Sequence, residues 1–373
     1  MSANDRSTSA WPLALALACL VTYASLYPFD NWRDQGLSAW AFLSAPLPRY
    51  WTGFDVAVNV LGYSLLGFLL ALAVMRGTAW GWPVTLASLG AAVLSLSMET
   101  LQGFLPSRVP SNLDLALNVL GAWLGGLAAY LLERLGALQR WSQFRRRWFI
   151  GQTRGPLVLL ALWPAALLFP LTVPFGLGQV MQQLEEALGS ALVGTPFLDW
   201  LPVREVELQP MLSGPMALCV ALGLLVPVLL GYAIVRWPWQ KLVVLALTFG
   251  LGVSSTALSS ALSFGPEHAW AWLDGPARLG IALGLLAAGL ALLLPVRGAV
   301  ALALLALGVQ LTLLNQAAFD SNFEHTRQIW EQGRFVRFNG LTEWLGWLWP
   351  FAALVYALMR LSASAPRAGR DEL

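Results

Sequence analysis

The sequence predicts an all-α, polytopic integral membrane protein with about ten transmembrane helices and both termini on the cytoplasmic side. Three observations predict it: an apolar composition, ten hydrophobic stretches of near-spanning length, and a sorting of charge between alternate loops. Of 373 residues, 57% are hydrophobic and 11% charged; mean hydropathy is +0.64 and tryptophans number 19. An average soluble domain carries about 25% charged residues. A soluble chain could not hide this much apolar surface, whereas in a bilayer lipid is the solvent.

A span needs about 20 mostly apolar residues. The candidates are Trp11–Tyr27, Phe54–Met75, Trp82–Leu101, Leu113–Leu132, Gly155–Val173, Met211–Val235, Leu242–Phe264, Ala277–Leu294, Ala299–Asn315 and Leu341–Leu361. Pro295-Val296-Arg297-Gly298 separates the eighth from the ninth. The first stretch resembles a signal peptide in length. The ten residues before it hold one Asp and one Arg, not a basic n-region, and no small-residue cleavage site follows. It is expected to be retained as a span.

Lysine and arginine set the orientation. The segment from Glu133 to Arg154 holds Arg134, Arg140, Arg145, Arg146, Arg147 and Arg154, and is assigned to the cytoplasmic side. With ten spans, the segments on that side carry 14 of the 22 basic and 4 of the 20 acidic residues. The resulting organisation is a four-helix module over 1–135, an arginine-rich linker over 136–154 and a six-helix module over 155–373. The expected location is the cytoplasmic (inner) membrane of a bacterium.

Two outer loops are long. Gln179–Leu188 is amphipathic and suits the membrane surface. The loop over 316–340 sets Arg327, Arg334 and Arg337 among Phe323, Trp330, Phe335 and Phe338. This reads as an interfacial anchor, with anionic head groups as the alternative ligand. His268 and His325 each stand beside a glutamate in a polar loop and read as solvated. Cys19 and Cys219 lie in apolar runs and form neither a disulfide framework nor a metal signature. No basic stripe marks a nucleic-acid partner, and no phosphate-cradling glycine loop or serine–histidine pairing is present. The polar face of the seventh span (Ser254, Ser255, Thr256, Ser259, Ser260 and Ser263) fits close helix packing.

One internal repeat stands out. Asp55-Val-Ala-Val-Asn59-Val-Leu-Gly62 matches Asp114-Leu-Ala-Leu-Asn118-Val-Leu-Gly121. Both copies open a helix of the same direction, so the first four spans read as two tandem hairpins in a parallel repeat.

Polar groups inside spans are costly and mark function by default. Here they cluster. Asp55 and Asn59 share one helix face at i, i+4, as do Asp114 and Asn118; Glu99 and Gln102 sit at i, i+3; Arg108 lies in the third loop. Glu99 stands 17 residues beyond Trp82, about 25 Å along the helix, and Asn59 and Asn118 lie about 6 Å deeper than their aspartates. All these side chains are therefore expected at one outward-facing pocket roofed by the Arg108 loop. Plain structural readings stand beside this. Asp at a helix start caps it and favours the positive end of the dipole. Asn in a span joins helices by hydrogen bonds. Three carboxylates against one guanidinium make an electronegative pocket, suited to a proton, a cation or a substrate with a cationic or metal-bridged group. The oxygen-rich set suits Mg²⁺ or Ca²⁺, although no diagnostic metal spacing accompanies it.

Tyr27-Pro28-Phe29-Asp30, Asp55-x3-Asn59-x2-Gly62, Glu99-x2-Gln102 with Arg108, and Asp114-x3-Asn118-x2-Gly121-x3-Gly125 together resemble the VanZ-like membrane protein family. The resemblance covers about residues 20–132 and implies a four-helix membrane module. The family takes its name from a protein linked to teicoplanin (glycopeptide) resistance. Six further helices set this chain apart from a single-module member.

The expected function is handling of a lipid-linked envelope precursor, an anionic or lipid-linked small molecule, at the outer leaflet. Membrane lipids are the expected partners. Glu99, Asp55 and Asp114 are the acid–base candidates, and Arg108, Asn59, Gln102 and Asn118 the substrate contacts. A proton-coupled transporter or flippase, and a non-catalytic binding scaffold, are the alternatives.

Overall fold

The computed structural model describes residues 10–75 apart from positions 28, 30, 37 and 49, and then residues 82–150, 153–200, 208–319 and 336–363. The arginine–aromatic positions Phe323 to Phe335, with His325, lie outside the described residues. Twelve α-helices occur among the described residues: α1 Ala10–Leu26, α2 Gly53–Val74, α3 Trp82–Gln102, α4 Asn112–Arg134, α5 Ala137–Trp148, α6 Arg154–Ala166, α7 Met181–Leu192, α8 Ser213–Tyr232, α9 Pro238–Phe264, α10 Gly275–Leu290, α11 Val296–Asn315 and α12 Val336–Ser362. Eight are long and apolar enough to cross a membrane, and α1 and α6 are shorter apolar helices. Leu61, Leu65, Leu89, Val93, Leu120 and Trp123 point outward from α2, α3 and α4. An apolar outer surface is what lipid contact requires.

The chain divides into two compact units, Met1–Phe144 and Arg145–Leu373, with the boundary inside α5. The expected linker is thus largely helical. Trp141, Phe144 and Trp148 recur at helical spacing, which gives the arginine-rich segment an apolar stripe suited to the membrane surface. α7, within the amphipathic loop that follows α6, has no buried residue.

In the first unit α2 and α4 touch backbone to backbone. A side chain at Gly121 would meet the Val60 carbonyl, and one at Gly125 the Ser64 carbonyl. Residues 60 and 64 face 121 and 125 in the same order, so the two helices are parallel. Small residues permit this approach. α3 lies against both, with Val84 over Gly126, and α1 packs on α2 and α3 through Leu17, Ala18 and Val21. The α1–α2 connection folds over the α3–α4 turn. Arg33 N–H donates to the Phe104 carbonyl (3.0 Å), and Gln35 Nε2 to that of Gly103 (2.8 Å).

In the second unit α8 is the buried hub, with 72% of its spanning window enclosed, and α6, α9, α10 and α11 lie around it. The expected fifth span, Gly155–Val173, is broken. α6 stops at Ala166, and an irregular buried segment follows to Val180. Pro170 fits the stop: it lacks an N–H and would crowd the carbonyl of Ala166, four residues earlier. Irregular backbone inside a membrane protein needs partners. Gln310 Nε2 donates to the Phe175 carbonyl (3.1 Å), Asn315 Nδ2 to that of Gly178 (3.0 Å), and Ser259 Oγ to that of Leu168 (2.9 Å). Asn315 Oδ1 accepts the N–H groups of Val180 (3.0 Å) and Met181 (2.9 Å).

Candidate functional site

The site lies where α2 and α4 begin and α3 ends. Thr52 caps α2 and Ser111 caps α4. The Ser111 hydroxyl accepts the Asp114 N–H at 3.2 Å. Glu99, 4% exposed, projects from the last turn of α3, and its Oε2 accepts the Ser111 N–H at 2.7 Å. A carboxylate placed there meets the unsatisfied N–H groups and positive dipole end of α4.

The asparagines knit the helices together. Asn59 Nδ2 donates to Asp114 Oδ1 across 2.9 Å, joining α2 to α4. Asn118 Nδ2 donates to Ser95 Oγ, also across 2.9 Å, joining α4 to α3. Glu99, Asp114, Asn59, Asn118 and Ser95 therefore occupy one polar layer between three helices.

The other three expected site residues serve different partners. Asp55 Oδ2 accepts the Thr52 backbone N–H (3.0 Å) and hydroxyl (2.7 Å), completing the capping box of its own helix. Arg108 Nη2 donates to the carbonyls of Tyr27 (2.7 Å) and Ala24 (3.5 Å), and Gln102 Nε2 to that of Ser25 (3.0 Å). These two side chains gather the last carbonyls of α1, which a helix C-terminus leaves unsatisfied. Glu99 and the Asp114 N–H thus both meet Ser111, the cap of α4, while Asp55 meets Thr52, the cap of α2. Among the described residues, no three His, Cys, Asp or Glu side chains come together to hold a metal ion.

Ser95 and Tyr63 are the residues that the sequence reading missed. Ser95 is i−4 from Glu99, and Tyr63 is i+4 from Asn59. The same face rule that linked Asp55 to Asn59 would have found both. Trp40, Tyr50 and Trp51, in the connection that leads into α2, are exposed. Such residues favour the membrane–water boundary.

Residues 6–133 match the family described as VanZ/LLP1. The chain is also 31% identical over 109 residues to the fluoride-specific ion channel FluC 2 of Symbiobacterium thermophilum, a stretch covering 26% of this chain and 87% of that protein. No solved structure matches. The long apolar helices make this chain a multi-pass membrane protein, and its N-terminal third, which holds α1 to α4, is similar to the VanZ/LLP1 family.

Proposed function

We propose that the VanZ-like unit handles a lipid-linked cell-envelope precursor at the outer face of the bacterial cytoplasmic membrane. One observation carries the reading: a buried carboxylate, Glu99, is held at the helix-capping end of α4, in a unit whose connection into α2 exposes Trp40, Tyr50 and Trp51. An acid group at a membrane rim can reach the head group of a lipid while the lipid tail stays in the bilayer. Asp114 and Asn59 fix the neighbouring wall, and Arg108 and Gln102 keep α1 docked beside it. Glu99 is the group proposed to accept or give the proton, or to bind a cationic group of the substrate. In this proposal Arg108 acts as a positioning residue, a reading supported by its bonds to the α1 carbonyls.

A second reading is ion conduction, favoured by the similarity to a protein named as a fluoride-specific ion channel. Proton-coupled transport falls in the same class. The apolar packing of Leu66, Ala91 and Ala122 beneath Tyr63 speaks for a one-sided site instead.

The test is a susceptibility assay. A glycopeptide-sensitive bacterium expressing the wild type should gain tolerance, and one expressing Glu99→Gln at equal membrane abundance should not. Equal tolerance from both removes the acid–base role. Anion efflux from liposomes containing the purified wild type would instead support conduction.

A further inference from the structure

Inward from Glu99 the polar layer continues. Ser95, one turn away on α3, is fully buried, and Asn118 and Tyr63 are each 5% exposed. Counting helical rise from the ends of α3, α4 and α2, Ser95 and Asn118 lie about 10 Å in and Tyr63 about 15 Å, near the middle of a core about 30 Å thick. Below them the packing turns apolar, through Leu66, Ala91 and Ala122 and then Ala71, Ala87 and Ala129.

Two atoms in this cluster have no hydrogen-bond partner: Asn118 Oδ1 and Tyr63 Oη. The Ser95 hydroxyl stands within reach of Tyr63 Oη, but no well-aligned hydrogen bond joins the two. Native proteins rarely leave buried polar atoms orphaned, and ordered water is the common partner. A buried water needs about 2–4 polar neighbours. An amide oxygen, a phenol and the Ser95 hydroxyl supply that number from three helices.

We propose that Tyr63, Ser95 and Asn118 bind a water molecule that bridges Tyr63 Oη and Asn118 Oδ1. The water gives one proton to the Asn118 oxygen and accepts one from the tyrosine. The Glu99 site then extends inward as a hydrated pocket that closes at the bilayer middle. The proposal deepens the reading of Glu99 as the acid group, and it gives the site a wet inner wall reached from one membrane face only. Tyr63 and Ser95 are positioning residues in this arrangement.

The sign of one substitution decides between a wet and a dry cluster. Tyr63→Phe keeps the ring and removes the hydroxyl. In a dry cluster it deletes an orphaned polar group and raises the melting temperature of the detergent-solubilised full chain. In the wet cluster it removes a made hydrogen bond, and the melting temperature falls. A value equal to or above wild type overturns the proposal. A second measurement needs no substitution: water-edited solid-state NMR of the wild type in bilayers should transfer magnetisation from water to the Asn118 side-chain amide, and loss of that transfer overturns the pocket. The two claims fail separately. Water transfer at Asn118 with lipid retention unaffected by Glu99→Gln removes the envelope-precursor reading alone. Lipid loss in Glu99→Gln without water transfer removes the pocket alone.

Discussion

The Asn59 amide donates to Asp114 Oδ1 at 2.9 Å, so the asparagine of one repeat binds the aspartate of the other. The symmetric counterpart would have Asn118 bind Asp55. Instead Asn118 turns to Ser95, and Asp55 closes the capping box of its own helix. The asymmetry follows from α3, which brings Ser95 to Asn118 and Glu99 to Ser111. The repeat builds the two parallel helices, and the helix between them turns one end into a site.

That cross-repeat bond should be measurable. Interhelical polar pairs in membranes are worth about 0.6–1.7 kcal/mol. A double-mutant cycle over Asn59→Ala and Asp114→Ala, read by unfolding in mixed micelles, should give coupling in that range. Additive losses would contradict the bond.

The two repeat glycines should differ sharply. A side chain at Gly125 or Gly121 would strike α2 backbone, whereas nothing lies within 4 Å of one at Gly62. Gly121→Ala should destabilise by about 1–3 kcal/mol. Gly62→Ala should be neutral or stabilising by up to about 1 kcal/mol, because it removes a flexible residue from a helix. Thermal melting of the two variants in detergent checks the contrast, and equal shifts would contradict the parallel packing.

Arg108 should matter through α1. Its guanidinium holds the carbonyls of Ala24 and Tyr27, and hydrogen bonds from charged groups are worth about 1.5–3 kcal/mol. Arg108→Gln should therefore raise deuterium uptake over residues 20–27. Unchanged uptake together with lost lipid binding would return Arg108 to the role of a ligand contact.

Much of this architecture is legible in the sequence, for identifiable reasons. Each of the ten apolar stretches contains a helix, and eight of these helices are long and apolar enough to cross a membrane, because length and hydropathy mark such segments. The broken fifth span was not legible from hydropathy, since Phe169 to Val173 remain mostly apolar although the helix has ended at Ala166. Proline alone was no guide, since Pro164, Pro227 and Pro350 lie inside helices that continue past them. The linker helix α5 was hidden by its arginines, although Trp141, Phe144 and Trp148 keep the helical period. Within the site, the placement of Glu99, Asp114, Asn59 and Asn118 at one end followed from rise per residue and i, i+4 spacing. The partners of Arg108 and Gln102 did not, because carbonyls at the end of α1 are tertiary neighbours that carry no sequence signal.

The broken span yields its own prediction. Asn315 serves four backbone groups, those of Gly178, Val180, Met181 and Leu311. Asn315→Ala leaves several without a partner, at about 1–3 kcal/mol for each buried group. Thr312 bonds only within its own helix, to the Gly308 carbonyl, and is exposed; Thr312→Ala should stay within about 0.5 kcal/mol of wild type. Unfolding of the full chain in detergent compares the two, and similar stability would contradict the supporting role of Asn315.

The central claim is that Glu99 meets a ligand from the membrane. Mass spectrometry of lipids retained by the purified full chain tests it most directly. The wild type should carry a lipid bearing a polar or cationic envelope-precursor head group, and Glu99→Gln, folded and equally abundant, should lose it. Identical lipid profiles from the two proteins would contradict the claim and leave Glu99 as a tie between α3 and the start of α4.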